Sequence, residues 1–263
     1  MGRNSTAWCL IVAASVTGGC AATDAAQSIP TTTPISVASA NHSSPAAPTT
    51  TSGSVPEALS PCGEIGSSAK SPDCRLRSHD AVGASFEVRR GTLGGKTTIA
   101  IDVYGSDGVR TQTLTERNVA HPSDPILRDV DGDGRDELLV PIHLATVNTR
   151  FAVYHASGDA IEFHRAGELT GIGIDTTADG YVVSPMRDDY ASWNIEFWRI
   201  TGNTLAPIVT AQVRLRDTEA GAPTASDCTV VDAGGLHTTG LSSLDEARDR
   251  FCAEPSVQRV VRR

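Results

Sequence analysis

The stretch Asp129-Val130-Asp131-Gly132-Asp133-Gly134-Arg135-Asp136-Glu137-Leu138-Leu139-Val140-Pro141 decides the fold class, because its first half makes a turn and its second half says what the turn leads into. Aspartates at every second position, with a glycine after the third, are how a short loop wraps a hard cation. The carboxylates of Asp129, Asp131 and Asp133, the carbonyl of Arg135 and the carboxylate of Glu137 fall at loop positions 1, 3, 5, 7 and 9, and Gly134 permits the sharp turn. The spacing predicts calcium. Magnesium, which holds its waters and demands a tighter octahedron, suits a flexible multi-carboxylate loop less well. An ordinary solvated Asp/Gly turn is the alternative. Its difficulty is that these carboxylates repel one another unless cations offset them, and the only local ones are Arg128 and Arg135. An EF-hand is excluded. Loop position 12 is Val140 where a bidentate carboxylate is required, and Pro141 lacks the amide donor that a helix interior needs. Glu137-Leu138-Leu139-Val140 reads instead as a buried strand leaving the metal.

Strand patterning continues on both sides of this run. Ile99, Ile101 and Val103 alternate with Thr98, Ala100 and Asp102; Phe151 and Val153 alternate with Arg150 and Ala152; Trp193, Ile195 and Phe197 alternate with Asn194 and Glu196. Val209, Ala211, Val213 and Leu215 repeat the period. Turn residues stand between these runs at 91–95, Ser106-Asp107-Gly108, Ser157-Gly158-Asp159, Ala178-Asp179-Gly180 and Thr201-Gly202-Asn203, which implies antiparallel hairpins. The calcium-like run occurs once and no fixed-length repeat is visible, which argues against a propeller. The expected fold is therefore all-β, an antiparallel sandwich or curled sheet of about 8–10 strands. Near the end, Ser243-Leu244-Asp245-Glu246 is a capping box, and Leu244, Ala247 and Phe251 share a face. A short C-terminal helix over about 244–252 follows.

The amino terminus sets the compartment. Arg3 precedes an apolar stretch, Ala7-Trp8-Cys9-Leu10-Ile11-Val12-Ala13-Ala14, about half the roughly 20 residues that cross a bilayer, and small residues follow up to Cys20. Residues 1–19 read as a signal peptide. The junction Val16-Thr17-Gly18-Gly19-Cys20 resembles a bacterial lipobox, with Thr17 where such boxes usually carry Leu. The resemblance implies lipid on Cys20 and a chain held at the cell membrane on its extracytoplasmic side. Ordinary secretory cleavage nearby is the alternative. Residues 20–60 are dominated by Ala, Ser, Thr and Pro, carry no Lys or Arg, and cannot bury enough apolar surface to offset the entropy of ordering. They read as an extended, disordered tether.

With Cys9 in the signal and Cys20 lipidated, four of the six cysteines remain: Cys62, Cys74, Cys228 and Cys252. An exported chain with an even set favours disulfides, and no close Cys-x-x-Cys pair supports zinc. Three connectivities are possible; the local pairs, Cys62 with Cys74 and Cys228 with Cys252, are preferred.

The loop 129–137 and the strand after it resemble the FG-GAP and VCBS type of extracellular calcium loop, in which an Asp-x-Asp/Asn-x-Asp-Gly-x-x-Asp run leads into a β-strand. With Thr149-Arg150-Phe151-Ala152-Val153-Tyr154, Gly180-Tyr181-Val182-Val183-Ser184 and Asn194-Ile195-Glu196-Phe197-Trp198-Arg199-Ile200 ahead of Leu205, the chain from about Phe86 to Leu215 is similar to exported bacterial β-proteins related in fold to periplasmic lysozyme inhibitors. The resemblance implies a non-enzymatic envelope protein, some relatives of which bind other proteins. Only the metal positions carry over, because no inhibitory loop matches residue by residue.

Catalytic patterns are thin. There is no Gly-x-Ser-x-Gly elbow, and His121, His143, His155 and His164 show no partner spacing. Asp188 with Asp189, or Asp102 with Glu137, is the pairing a glycosidase would require, and a hydrolase acting on a wall polysaccharide is kept as the alternative function. The net charge of −9, or −10 once Arg3 leaves with the signal, opposes nucleic-acid binding. Arg259, Arg262 and Arg263 run against that trend. They read as a solvated tail, with contact to anionic lipid or wall polymer as the alternative. The expected protein is a lipid-anchored β-domain over 61–263 with a structural calcium ion, acting by binding an envelope protein or wall component.

Overall fold

Period-two patterning folds into strands that reverse at glycine-containing turns. The computed structural model describes residues 59–63, 73–120, 123–217 and 223–261; the signal, nearly all of the tether, Cys20 and His121 lie outside the described residues. The architecture is all-β and antiparallel, as expected. Among the described residues, thirteen strands divide into three successive sheets.

The first sheet is a meander of β1 (Cys74–Arg77), β2 (Ser85–Leu93), β3 (Lys96–Tyr104) and β4 (Arg110–Val119). The second is a meander of β5 (Ile126–Arg128), β6 (Glu137–Ala145), β7 (Asn148–His155) and β8 (His164–Gly171). The third comprises β9 (Asp175–Thr176), β10 (Val182–Arg187), β11 (Ser192–Thr201), β12 (Thr204–Asp217) and β13 (Pro223–Asp232), again with sequential neighbours. Two short helices close the described chain, α1 (Leu244–Cys252) and α2 (Pro255–Val261). The strand count exceeds the expected 8–10, and the repeat lies in hydrogen-bonding topology without a repeated sequence motif. Long β runs twist, and consecutive hairpins that twist together close off as separate sheets.

Three apolar cores lie between the layers. Phe86, Ile99, Ile101 and Val103 of the first sheet pack against Leu138, Val140, Ala152 and Tyr154 of the second. Leu139, Phe151 and Val153, on the second sheet's other face, meet Val182 and Leu205 of the third, together with Val130 from the acidic loop. Ile195, Phe197, Val209, Ala211 and Val213 of the third sheet meet Ala247 and Phe251 of α1 and Val257 and Val260 of α2. The second sheet is thus covered on both faces. That is why residues 137–142 form an unbroken buried run, and why Ala152, expected to alternate outward, is fully buried. The two tryptophans of β11 follow their parity: Trp193 is buried on the helix side, and Trp198, past a bulge at Phe197/Trp198, packs partly buried against the core shared with the second sheet.

Both local disulfides are present, Cys62–Cys74 and Cys228–Cys252, the second fastening α1 to β13. Ser243 caps α1 by accepting the Glu246 amide, while the Glu246 carboxylate takes the amide and hydroxyl of Ser242, one residue earlier than a strict capping box. Of the expected apolar face, Ala247 and Phe251 are buried, while Leu244, the first helical residue, is 61% exposed. Phe251 seats its ring against Phe197 at 4.7 Å and Tyr181 at 5.6 Å. Phe251→Ala is expected to lower unfolding free energy by about 3–5 kcal/mol, against less than about 0.5 for Leu244→Ala, as urea denaturation would read.

Candidate metal centre

The acidic loop joins β5 to β6, so its ends are pinned one strand apart by the pair Arg128↔Glu137. Gly132 and Gly134 both take positive φ, +79° and +87°, a conformation that admits two reversals within a few residues. The carboxylates of the loop organise its own backbone. Asp129 accepts the amides of Gly132 at 2.7 Å and Gly134 at 3.0 Å, Asp131 that of Asp133 at 3.2 Å, and Asp133 that of Arg135 at 2.8 Å. Each carboxylate oxygen has two lone pairs, so an amide and a cation can share it.

Ligand-type oxygens of Asp129, Asp131 and Asp133 lie within 4.8 Å of one another. A second group, sharing Asp131, contains Glu137 and His155 on the same criterion. Four of the five expected ligand residues, Asp129, Asp131, Asp133 and Glu137, therefore fall in two overlapping triads that His155 completes, while Arg135, expected through its backbone carbonyl, belongs to neither. Glu137 is fully buried, with Oε2 accepting the Val130 amide at 2.8 Å and Oε1 3.0 Å from His155 Nδ1. Burial pushes its carboxyl up, and the contact with Glu137 raises His155 in turn. Asp131 is also raised, by burial first and then by the neighbouring charge of Asp133. Charge on this loop is thus held against both desolvation and repulsion.

Neither nearby arginine relieves it. Arg135 turns its guanidinium away, Nε donating to Asp80 at 2.9 Å, Nη2 to the Ala160 carbonyl at 3.0 Å and Nη1 to the Gly158 carbonyl. Arg128 reaches the Ile174 carbonyl and Asp175. Among the described residues, no arginine or lysine forms an ion pair with Asp129, Asp131 or Asp133. The donor set, three carboxylates on a tight loop with a fourth buried beneath, fits a divalent cation. The Arg135 side chain leaves only its carbonyl for the loop's seventh position.

The loop is clamped from outside as well. Thr176 of β9 donates its hydroxyl to the Val130 carbonyl at 2.9 Å, and at Gly180, φ +74°, a Cβ would lie 2.5 Å from the Asp131 carbonyl oxygen. On the other flank, Asp136 accepts the hydroxyl of Ser78 and the amide of His79, and Asp80 accepts the Asp136 amide. Burial alone would raise Asp80, yet hydrogen bonds from Arg135, the Gly83 and Asp136 amides and Ser78 outweigh it and hold its carboxyl at about 2.

Sequence reasoning missed His155 and Asp80. His155 shares the face of Val153 at the last position of β7, a parity that points it at the loop; Asp80 carries no local signal. His155 Nε2 is 3.0 Å from Ser157 Oγ, giving a line Ser157, His155, Glu137. Of the two glycosidase pairings, Asp102 and Glu137 lie in different sheets, whereas the adjacent Asp188 and Asp189 both line a hollow of about 490 Å3. Asp102 is engaged by Thr113 and Arg110 on the first sheet while Glu137 is sealed in the second, and Asp188 and Asp189 stand at the turn between β10 and β11. His143 and His164 lie on β6 and β8.

Comparison of the chain with protein-family models, curated proteins and solved structures finds no match.

Two outcomes follow. Gly180→Ala is expected to destabilise by about 2 kcal/mol, through the strained φ and the close Asp131 carbonyl, whereas Gly234→Ala, whose Cβ would meet only Asp232 Oδ1 at an ordinary 3.6 Å, is expected to stay near the parent in chemical denaturation. Asp80 has a depressed folded pKa, so its contribution, roughly 2 kcal/mol, is present above the unfolded value near 3.8 and fades as pH falls toward about 2. Asp80→Asn, which mimics the protonated acid, is expected to unfold more easily than the parent at pH 6 and to converge with it near pH 2.

Proposed function

We propose that this chain is a lipid-anchored, extracytoplasmic β-domain whose acidic loop holds a structural calcium ion, and that it acts by binding a protein or wall component at the cell envelope. The observation that carries the reading is that Asp129, Asp131 and Asp133 converge with no arginine or lysine paired to them among the described residues, Arg128 and Arg135 being engaged elsewhere. A cation there supplies the missing counter-charge, joins β5 and β6 to the turn before β10, and adds its binding free energy to folding. The two disulfides agree with export, since such bonds persist in oxidising compartments. The lipobox-like junction at Cys20 supports the anchor, and the tether of 20–60 supplies reach from the membrane.

An envelope hydrolase is the second reading, and the Ser157, His155, Glu137 line favours it, since a serine, a histidine and an orienting acid at hydrogen-bond spacing are the parts of an acyl-transfer site. The binding reading accounts for the same contacts more simply. Glu137 is committed to the Val130 amide and His155 is 3% exposed, so the line ties the β7 end to the loop. Labelling of Ser157 by a fluorophosphonate would establish the hydrolase; absence of labelling is expected.

Chelation is expected to lower the melting temperature of the parent and leave Asp131→Ala nearly unchanged, in scanning calorimetry with and without added calcium. Identical parent curves under the two conditions contradict a stabilising ion.

A further inference from the structure

The face of the first sheet turned away from the second carries charge opposite to that of the chain as a whole. Phe86, Val88, Ile99, Ile101, Val103 and Leu114 are buried toward the second sheet, so the alternate positions and their register partners face outward. Those positions hold six basic side chains, Arg75 and Arg77 of β1, Arg89 of β2, Lys96 of β3 and Arg110 and Arg117 of β4, against two carboxylates, Glu87 and Asp102. Glu87 is paired with Arg89 and Asp102 with Arg110, and the flanking Asp73 also approaches Arg89, at 3.9 Å. Even with Asp73 and with Asp107 of the turn before β4, the cations outnumber the acids. Arg75, Arg77, Lys96 and Arg117 are exposed and form no ion pair among the described residues. This positive face stands on a chain whose net charge is −9.

Two further observations point to what covers it. The tether of 20–60 ends on the outer edge of this same sheet: the Arg75 amide donates to the Ser60 carbonyl at 2.8 Å, the Cys62 amide donates to the Arg75 carbonyl at 2.9 Å, and the Cys62–Cys74 disulfide locks the junction. A flexible chain of about 40 residues has a root-mean-square span of roughly 30–40 Å, so a lipid on Cys20 keeps this sheet near the bilayer. The β2–β3 hairpin also presents Leu93, 64% exposed, on the outward face beside its register partner Lys96. An apolar side chain next to a cation suits the boundary between headgroups and acyl chains.

We infer that the outward face of β1–β4 docks on the anionic lipid bilayer to which the chain is tethered, with Arg75, Arg77, Lys96 and Arg117 meeting lipid phosphates and Leu93 entering the headgroup layer. The inference rests on the anchored reading above and goes beyond it by giving the domain an orientation. Because the negative excess lies on the rest of the chain, an anionic surface attracts this face and repels the others.

The test is co-sedimentation of the mature chain, residues 20–263 with Cys20→Ser so that no acyl group contributes, with phosphatidylcholine vesicles containing or lacking phosphatidylglycerol, at low ionic strength and fixed calcium. Four proteins are compared: the parent; Arg75→Gln with Arg77→Gln; Lys96→Gln with Arg117→Gln; and Arg214→Gln with Arg248→Gln, which removes the same charge from exposed arginines of β12 and α1. The parent is expected to bind only the phosphatidylglycerol vesicles, and less as salt rises. Each face pair is expected to lower that binding by about tenfold or more, and the β12/α1 pair by less than about twofold. Melting without vesicles reads the fold of each protein, and the two face pairs are independent, so misfolding of one leaves the other to decide. No binding of the parent, equal binding to neutral vesicles, or equal losses in the face pairs and the β12/α1 pair overturns the inference. Binding to soluble polyglutamate as strong as to anionic vesicles assigns the face to acidic polymers and overturns the membrane as its partner. Palmitate labelling of the unsubstituted chain in cells reads the anchor separately: label on Cys20 without vesicle binding rejects the face alone, and vesicle binding without label rejects the anchor alone.

Discussion

Electrostatic repulsion within one nine-residue loop is the constraint around which the rest of this structure is arranged. Three aspartates are fixed by glycine-permitted reversals so that their oxygens face one region, and the backbone that holds them is stitched by those same carboxylates. The neighbouring arginines do not offset this charge. Arg135, the basic residue inside the loop, is drawn into a separate buried network with Asp80 that anchors the loop to the segment between β1 and β2. The loop is therefore held at both flanks while its converging carboxylates pair with no arginine or lysine among the described residues, a combination that the proposed divalent ion would complete.

The layered sheets explain how so polar a loop can be held firmly. The second sheet is buried on both faces, so β6 leaves the loop directly into two cores at once, Leu138 and Val140 toward the first sheet and Leu139 toward the third. Val130, between the first two aspartates of the run, is itself fully buried in the core shared with the third sheet. The third sheet contributes the clamp through Thr176 and Gly180, and on its far side the disulfide and Phe251 hold the helices in place. Loop, sheets and helices are thus coupled through packing.

Much of this was readable from local pattern. The strand after the loop, the alternations at 99–103 and 193–197, the turn glycines, the helix over 244–252 and both disulfide pairs depend on neighbours close in sequence or on few combinations, and the structure carries all of them. What was not readable depends on distant contacts. Ala152 is buried because a sheet covers each face of β7, a fact of stacking that no alternation in one strand reveals. Asp80 meets Arg135 across 55 positions. His155 meets Glu137 because two antiparallel strands end together, and a histidine at a strand terminus carries no mark of its partner. The partition into three sheets leaves no mark in the sequence because the meanders share topology without a shared motif.

The most direct measurement of the central claim is a crystal structure of the protein grown in calcium, with anomalous scattering used to locate the ion. The account predicts one anomalous peak in the loop, about 2.3–2.6 Å from oxygens of Asp129, Asp131 and Asp133 and from the Arg135 carbonyl. An ordered loop with these side chains splayed into solvent around no common centre, and no peak among them, would contradict it.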